Sequence, residues 1–241
     1  MIDIHCHLLP GIDDGAQDKE TALQMIRLAV DDGTETMVFT PHIHPGRYEN
    51  TRKNIQQSLQ AFQHDLRDAD INIQTAAAAE IRISPEIPVM VKNEQLPYIG
   101  ERDGKRIFLL EFPHSHIPPG SDKLVEWLLV NDIRPMIVHP ERNKDVIRDL
   151  GRIWPYVSAG CLLQLTAGSV SGQFGEPVRT RSVEMLEKGW VFALASDAHN
   201  TDYRPPLLQA GRDAAANVIG EEEASRLVGD NPWSIVKNLF Q

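Results

Sequence analysis

The first residues of the chain combine two histidines in a pattern that could bind a metal ion. Residues 2–5 alternate apolar and polar side chains as in a β-strand, so His5 and His7 are expected on one side of it. Two imidazoles on one face can converge on one divalent ion. A Pro-Gly pair then predicts a turn that brings the carboxylates of Asp13 and Asp14 back towards the strand end.

Further metal-ligand side chains follow later predicted strands. They are His42, Glu80, Glu111, His139, and Asp197 with His199. In an α/β barrel the C-terminal strand ends meet on one face, where function is placed. Ligand types at so many strand ends predict a multinuclear metal centre. The mixture of imidazole and carboxylate suits borderline divalent ions such as Mn, Fe and Zn, without choosing among them.

Strand and helix patterns alternate along the chain, which favours an α/β fold with a parallel sheet. Helices are predicted over 18–33, 51–69, 123–131 and 179–188, from about residue 145, and in the part beyond Pro205. Residues 81–100 are expected to form a short helix and a connecting segment, and 41–46 a polar loop containing His42. Strands are predicted at the start of the chain and over 36–40, 72–79, 105–112, 134–139, 161–166 and 190–199.

Length and composition favour one domain over residues 1–241, because 241 residues with 41% hydrophobic content can bury a substantial core. No apolar run of about 18 residues and no secretory leader pattern occurs. We therefore expect a cytoplasmic protein without membrane insertion. The net charge of −10 argues against nucleic acid as a partner. The sequence leaves the oligomeric state open.

The two cysteines do not have the spacing of a thiol-based tyrosine phosphatase. Such an enzyme needs Cys-x5-Arg, whereas Ile12 stands six residues after Cys6 and Ala167 six residues after Cys161. Both cysteines lie in apolar strand-like segments, so we expect small buried thiols.

The complete, ordered set of motifs resembles the bacterial tyrosine phosphatases of the CpsB/CapC/YwqE family, within the polymerase and histidinol phosphatase (PHP) superfamily. The resemblance extends from residue 1 to about residue 204. It is carried by His5-Cys-His7, Gly11-Ile-Asp-Asp-Gly15, Thr40-Pro-His42, Ala79-Glu80-Ile, Leu110-Glu111-Phe, His139-Pro-Glu-Arg142 and Ser196-Asp197-Ala-His199.

This resemblance implies a distorted (β/α)7 TIM-like barrel, the PHP fold, with three divalent ions, foremost Mn, with Fe or Zn as alternatives. By matching motif, the first ion would be held by His5, His7, Glu80 and Asp197. Glu80 would bridge to a second ion, held also by Glu111 and His139. The third would be held by Asp14, His42 and His199, with Asp13 the less favoured ligand.

The implied activity is that of a metal-dependent protein-tyrosine phosphatase, in which a metal-bound hydroxide attacks phosphorus. Arg142 and Arg204 match the family's phosphate-contacting arginines, and an arginine fork can bind two phosphoryl oxygens at once. The implied partner is a phosphotyrosine protein, namely a bacterial tyrosine kinase that controls capsule or exopolysaccharide synthesis.

Several alternatives remain open at this point. The protein could be a small-molecule phosphomonoesterase, such as a histidinol phosphatase, or a phosphodiesterase of the same superfamily, or a non-catalytic regulator of polysaccharide assembly. Arg142 could instead form a salt bridge to Glu141 or to a neighbouring loop. His114 and His116 are expected in a loop at the rim of the site, the place of His44 is left open, and His44 or His116 could serve as a general acid.

Overall fold

The computed structural model describes residues 1–240; Gln241, the last residue of the expected domain, lies outside the described residues. The strands are β1 Ile2–Cys6, β2 Thr36–Phe39, β3 His42–Ile43, β4 Gln74–Ala77, β5 Glu80–Arg82, β6 Gly100–Arg102, β7 Lys105–Glu111, β8 Ile133–Val138, β9 Leu162–Thr166 and β10 Val191–Ala195. The helices are α1 Lys19–Asp31, α2 Arg52–Asp68, α3 Ile87–Lys92, α4 Ser121–Val130, α5 Lys144–Arg148, α6 Trp154–Ala159, α7 Ala167–Ser171, α8 Glu176–Glu187, α9 Gln209–Ile219, α10 Glu221–Leu227 and α11 Asp230–Val236.

The strands form two sheets whose neighbours run parallel, apart from β6. One sheet has the order β1-β2-β4 and the other β10-β9-β8-β7-β5-β3. The predicted α/β class with parallel strands is confirmed. The antiparallel pairing of β6 with β7 was not predicted. The turn between them contains Asp103 and Gly104, both at positive φ, a sequence pair typical of tight hairpins.

Two predicted strands are interrupted, and the interruptions move site residues. The segment predicted over 36–40 continues past Pro41 as β3, so His42 lies in a strand and the predicted loop position was wrong. Likewise the segment predicted over 72–79 stops at Ala77, and Glu80 begins β5. Pro41 has no N–H for a ladder, and β3 and β5 pair in the second sheet with His42 opposite Glu80.

The first and last strands lie side by side. The Asp197 N–H donates to the His5 carbonyl at 2.7 Å, and the His7 N–H donates to the Ala198 carbonyl at 2.9 Å. The buried Asp3 carboxylate accepts from the main chain and the hydroxyl of Ser196. These bonds hold the ligand-bearing ends of β1 and β10 together.

The helices bury apolar stripes against the sheets, as their sequence periodicity predicts. On α2 the buried residues recur at helical spacing: Ile55, Leu59, Phe62 and Leu66. The Phe62 ring packs against Phe39 of β2 with centroids 5.7 Å apart. Within residues 1–240, we find no helix with the length and apolar character needed to cross a membrane.

Candidate metal centre

Four side chains from three parts of the chain lie close together, and three of them, His5, His7 and Glu80, form a compact group of ligand atoms. The Nε2 atoms of His5 and His7 are 3.3 Å apart. Glu80 Oε2 lies 3.4 Å from His5 Nε2 and 3.3 Å from His7 Nε2, and Asp197 Oδ1 lies 3.5 Å from both nitrogens. A tetrahedral ion with ligands at about 2.0–2.2 Å separates its ligand atoms by about 3.3–3.6 Å. The spacing of His5, His7 and Glu80 therefore fits one ion, with Asp197 Oδ1 beside the two imidazoles.

Hydrogen bonds to the other ring nitrogen orient three of the histidines. His5 Nδ1 lies 2.7 Å from Gln164 Oε1, and His7 Nδ1 lies 2.7 Å from Asp13 Oδ2. His199 Nδ1 lies 3.0 Å from the Asp197 carbonyl oxygen. Each partner atom is an acceptor, so each Nδ1 donates and each Nε2 keeps a free lone pair. This is the usual arrangement of metal-binding histidines.

A second group contains Asp14, His42 and His199, close to His7. Asp14 Oδ1 lies 3.3 Å from His42 Nε2 and 3.6 Å from His199 Nε2. The turn after β1 reaches this point because Gly15 packs directly on His7, where a Cβ atom would come within 1.9 Å of the His7 carbonyl oxygen. Asp13 and Asp14 thus have separate roles: Asp13 orients His7, and Asp14 faces two imidazoles.

A third group combines Glu80, Glu111 and His42. His42 Nδ1 lies 2.8 Å from Glu80 Oε2 and 3.9 Å from Glu111 Oε2. His139 meets the other oxygen of Glu80, at 2.8 Å. His42, which the resemblance placed with Asp14 and His199, therefore lies between two groups. The expected combination of Glu80 and Glu111 with His139 is not one of the compact ligand groups among residues 1–240.

Several of these buried atoms have no hydrogen-bond partner. They are Glu80 Oε2, Asp197 Oδ1, His42 Nδ1 and Glu111 Oε2. Their short contacts with one another and with Arg82 Nε, 3.0 Å from Glu111 Oε2, do not have hydrogen-bond geometry. Leaving a buried polar atom unpaired costs about 1–3 kcal/mol, more for a charged group. A cation at the centre of each group would satisfy them together.

The pKa shifts of the clustered side chains also indicate a place for a cation. Burial opposes charge on His5, but the carboxylates of Glu80 and Asp197 outweigh it and raise the pKa of His5. Burial, followed by the charge of Glu80, raises the pKa of Glu111 to about 7. Burial opposes the ionisation of Asp197, yet Arg204, His5 and Arg142 hold its pKa well below the usual range. The crowded carboxylates therefore need positive charge among them.

Two guanidinium groups converge beside the first ligand group. Arg142 Nη1 and Arg204 Nη2 both bond Asp197 Oδ2. Arg142 also lies 3.4 Å from the Thr166 hydroxyl and stacks over the Phe174 ring with its Cζ 4.8 Å from the centroid. Arg142 forms its ion pair with Asp197 and none with Glu141 among residues 1–240; Glu141 Oε1 instead accepts from the Thr166 N–H at 3.0 Å.

The remaining histidines of interest lie at the edge of the site. The His114 ring stacks on His139 with centroids 5.5 Å apart, and its Nε2 lies 3.0 Å from Arg142 Nη2. Burial and the charge of Arg142 lower the pKa of His114 to about 4. His116 lies in the exposed loop, where Ser115 Oγ is 2.8 Å from its Nδ1. The N–H of His44 donates to the Tyr48 carbonyl oxygen at 3.0 Å.

Sequence reasoning missed the residues that support the ligands. Gln164 contacts His5, Arg82 contacts Glu111, and Asp3 contacts Ser196 at the end of β10. Asp13 was considered only as a possible ligand. Gln164 and Asp3 are fully buried polar side chains, and Gln164 interrupts the apolar run of β9. That placement was the available signal, because buried polar groups need partners.

Neither cysteine belongs to the site. Cys6 is buried, and its thiol points at the Val38 carbonyl oxygen at 3.6 Å. Burial raises the pKa of the Cys161 thiol to about 12. The expectation of buried thiols is confirmed.

Comparison with known proteins connects this site to an established group. The family described as "Capsular polysaccharide synthesis, CpsB/CapC" matches residues 1–237. The tyrosine-protein phosphatase YwqE of Bacillus subtilis (strain 168) is 35% identical over 204 residues, which cover 85% of this chain and 79% of YwqE. The tyrosine-protein phosphatase CpsB of Streptococcus pneumoniae is 28% identical over 242 residues, 98% of each chain.

One solved structure is similar over nearly the whole chain. It belongs to the crystal structures of YwqE from Bacillus subtilis and CpsB from Streptococcus pneumoniae, described as unique metal-dependent tyrosine phosphatases. The TM-score is 0.90 at 31% sequence identity, covering 99% of this chain and 95% of the other.

Proposed function

The chain belongs to the CpsB/CapC family of capsular polysaccharide synthesis proteins, and we propose that it is a metal-dependent protein-tyrosine phosphatase. The observation that carries the proposal is the set of buried ligand atoms without hydrogen-bond partners, adjacent to two arginines. The relatives named tyrosine-protein phosphatases support the substrate class.

The residues present fit divalent metal ions. We propose three ions, with Mn first and Fe or Zn as alternatives. His5, His7, Glu80 and Asp197 would hold the first ion, and Asp14, His42 and His199 the third. Glu80 and Glu111 would hold the second together with His139, whose Nε2 lies 2.8 Å from Glu80 Oε1. The mixture of imidazole and carboxylate without thiolate is compatible with each of these ions.

Divalent ions in these positions would neutralise the phosphate and lower the pKa of a coordinated water, which supplies a nucleophile near neutral pH. The protein's own contribution is to place the ligands, keep the imidazoles in one tautomer and bind the phosphoryl group. Gln164 and Asp13 fix the rings of His5 and His7. Buried carboxylates would then balance the charge of the ions.

Arg142 and Arg204 would bind the phosphoryl oxygens. Both guanidinium groups already meet at one carboxylate oxygen of Asp197, so both can reach a phosphoryl group placed against the first ligand group. Arg142 is only 10% exposed, and its stacking on Phe174 fixes the plane of the fork. The leaving phenolate, with an intrinsic pKa of about 10, needs less protonation than an alkoxide.

The finer features of the resemblance are part of the same proposal. The bonds between β1 and the end of β10 support a distorted (β/α)7 barrel formed by one domain over residues 1–241. The family's link to capsular polysaccharide synthesis supports an autophosphorylated bacterial tyrosine kinase as the partner.

The test compares substrates on metal-stripped protein after Mn, Fe or Zn is added back. A phosphotyrosine peptide, a phosphoserine peptide and histidinol phosphate are assayed side by side, with Glu80→Gln as the inactive control. We expect metal-restored activity with preference for the phosphotyrosine peptide. Preference for histidinol phosphate would move the protein to the small-molecule phosphatases, and inactivity with every metal would favour a non-catalytic regulator.

A further inference from the structure

A large groove lies next to the candidate metal centre and has no role in the proposed chemistry. Its volume is about 740 Å³, and it runs between α2 and α3. Ile43 and Pro45 line the groove directly after His42. Because side chains alternate along β3, His42 faces the ligands and Ile43 the other side.

One loop, residues 44–50, separates the groove from the metal centre. On the inner side, the Tyr48 ring stacks on His42 with centroids 5.5 Å apart and planes 10° apart. On the outer side, Pro45, Glu49 and Asn50 line the groove. The Asn50 amide donates to the carbonyl oxygens of His42 and Ile12, both at 2.9 Å. A substrate peptide whose phosphorylated side chain enters the metal centre can therefore continue across this loop into the groove.

The groove is lined by exposed amide side chains without partners in the protein. Gln56, Gln57 and Gln60 project from one face of α2, and Gln95 follows α3 on the opposite wall. Within residues 1–240 none of these amides bonds another group, whereas the buried Gln164 and half-buried Gln63 do. Each amide offers donors and an acceptor, which match the N–H and C=O groups of an extended peptide.

The other lining residues select against charged polymers and sugars. The groove is lined by the acidic Glu49, Glu86 and Glu94 and by the basic Arg52 and Lys53, so it lacks the excess positive charge that nucleic acid or another polyanion needs. No aromatic ring is among the lining residues, and sugar rings are commonly bound by stacking on such rings. The remaining surface is largely aliphatic, including Ile43 and Met90.

We propose that this groove binds the extended, uncharged peptide segment that flanks the phosphotyrosine of a protein substrate. The inference rests on the proposed phosphatase function and deepens it. The metal centre and arginines recognise the phosphoryl group, while the groove favours phosphotyrosine in a polypeptide over free phosphotyrosine.

The experiment compares free O-phosphotyrosine with neutral phosphotyrosine peptides extended by about six residues on the N-terminal side, the C-terminal side or both. The metal-loaded full chain is used. In the test variant Gln56, Gln57 and Gln60 are all changed to Ala. In a second variant, Gln57→Trp fills the groove. Alanine favours helix, so α2 is retained. Gln24→Ala, an exposed glutamine on α1, is the matched control.

We expect a higher kcat/KM for at least one extended peptide than for free phosphotyrosine. Both groove variants should lower kcat/KM for that peptide about tenfold, since one lost hydrogen bond weakens binding about two- to tenfold. Turnover of free phosphotyrosine should stay within about twofold, and Gln24→Ala should change neither substrate.

An equal kcat/KM for peptide and free phosphotyrosine would overturn the groove proposal, as would a peptide advantage that both groove variants retain. In either case activity on free phosphotyrosine would leave the phosphatase function standing. Absence of activity on every substrate after metal loading would overturn both. An advantage seen only with a glycan-linked phosphomonoester would assign the groove to saccharide.

Discussion

Gln164→Leu is expected to weaken metal binding although Gln164 is not itself a proposed metal ligand. Gln164 Oε1 accepts the proton of His5 Nδ1 at 2.7 Å, and both side chains are fully buried. Leucine has a similar volume but no acceptor. The imidazole N–H is then left unpaired, or the proton moves to Nε2 and blocks the lone pair that faces the ligand group.

The magnitude follows from the burial of this bond. An unpaired buried donor costs about 1–3 kcal/mol, and loss of such a supporting partner typically lowers metal affinity about 10- to 100-fold. The stability of the fold should change less, because Gln164 Nε2 is itself buried without a partner, and leucine removes that unsatisfied donor too. Metal affinity and stability are therefore separable in this variant.

The assay is calorimetric titration of the stripped protein with Mn²⁺, together with thermal unfolding in chelator. Gln164→Glu, which keeps an acceptor oxygen at the same place, is the matched control and should bind metal more tightly than Gln164→Leu. A folded Gln164→Leu protein with unchanged affinity would refute the reasoning, since His5 would then not depend on this bond as a ligand.

Three further changes test other parts of the site. Glu80→Gln should lose nearly all phosphatase activity, measured with a phosphotyrosine peptide, because this carboxylate contacts every ligand group, whereas Cys6→Ser should keep most of it; the reverse pattern would contradict a metal mechanism. Arg142→Lys should retain bound metal, measured by elemental analysis, but its kcat/KM should fall about 10- to 150-fold. This fall corresponds to the loss of a charged hydrogen bond worth about 1.5–3 kcal/mol. A kcat/KM equal to that of the unaltered protein would show that Arg142 does not bind the phosphate. Because burial raises the pKa of Cys161 to about 12, its thiolate is scarce below that pH, so iodoacetamide at about pH 8 should neither modify this thiol nor inhibit the enzyme; mass spectrometry of the native protein checks this.

The general position of the site could be predicted from the sequence because two simple regularities determine it. The period of two along β1 places His5 and His7 on one face, and parallel strands deliver their C-terminal ends to one edge. The structure brings His5, His7, Glu80 and Asp197 together, as the order of the motifs implied.

The details that could not be predicted depend on contacts between distant segments. Pro41 interrupts the second strand, and the pairing of β3 with β5 then places His42 between Glu80 and Asp14. Local pattern does not reveal such a change of sheet. The partner of Arg142 was equally out of reach, since Asp197 lies 55 residues away along the chain.

The hydrogen bonds between β1 and the end of β10 also order events during synthesis. His5 Nε2 and Asp197 Oδ1 lie 3.5 Å apart, yet β1 is synthesised long before the end of β10. Bringing together segments this far apart along the chain costs on the order of 5 kcal/mol in chain entropy. A partly synthesised chain has not yet formed the contacts that offset this cost. A chain that has not been extended past β10 therefore lacks Asp197 beside His5 and His7. Tight metal binding by these residues would indicate that β10 has already been synthesised.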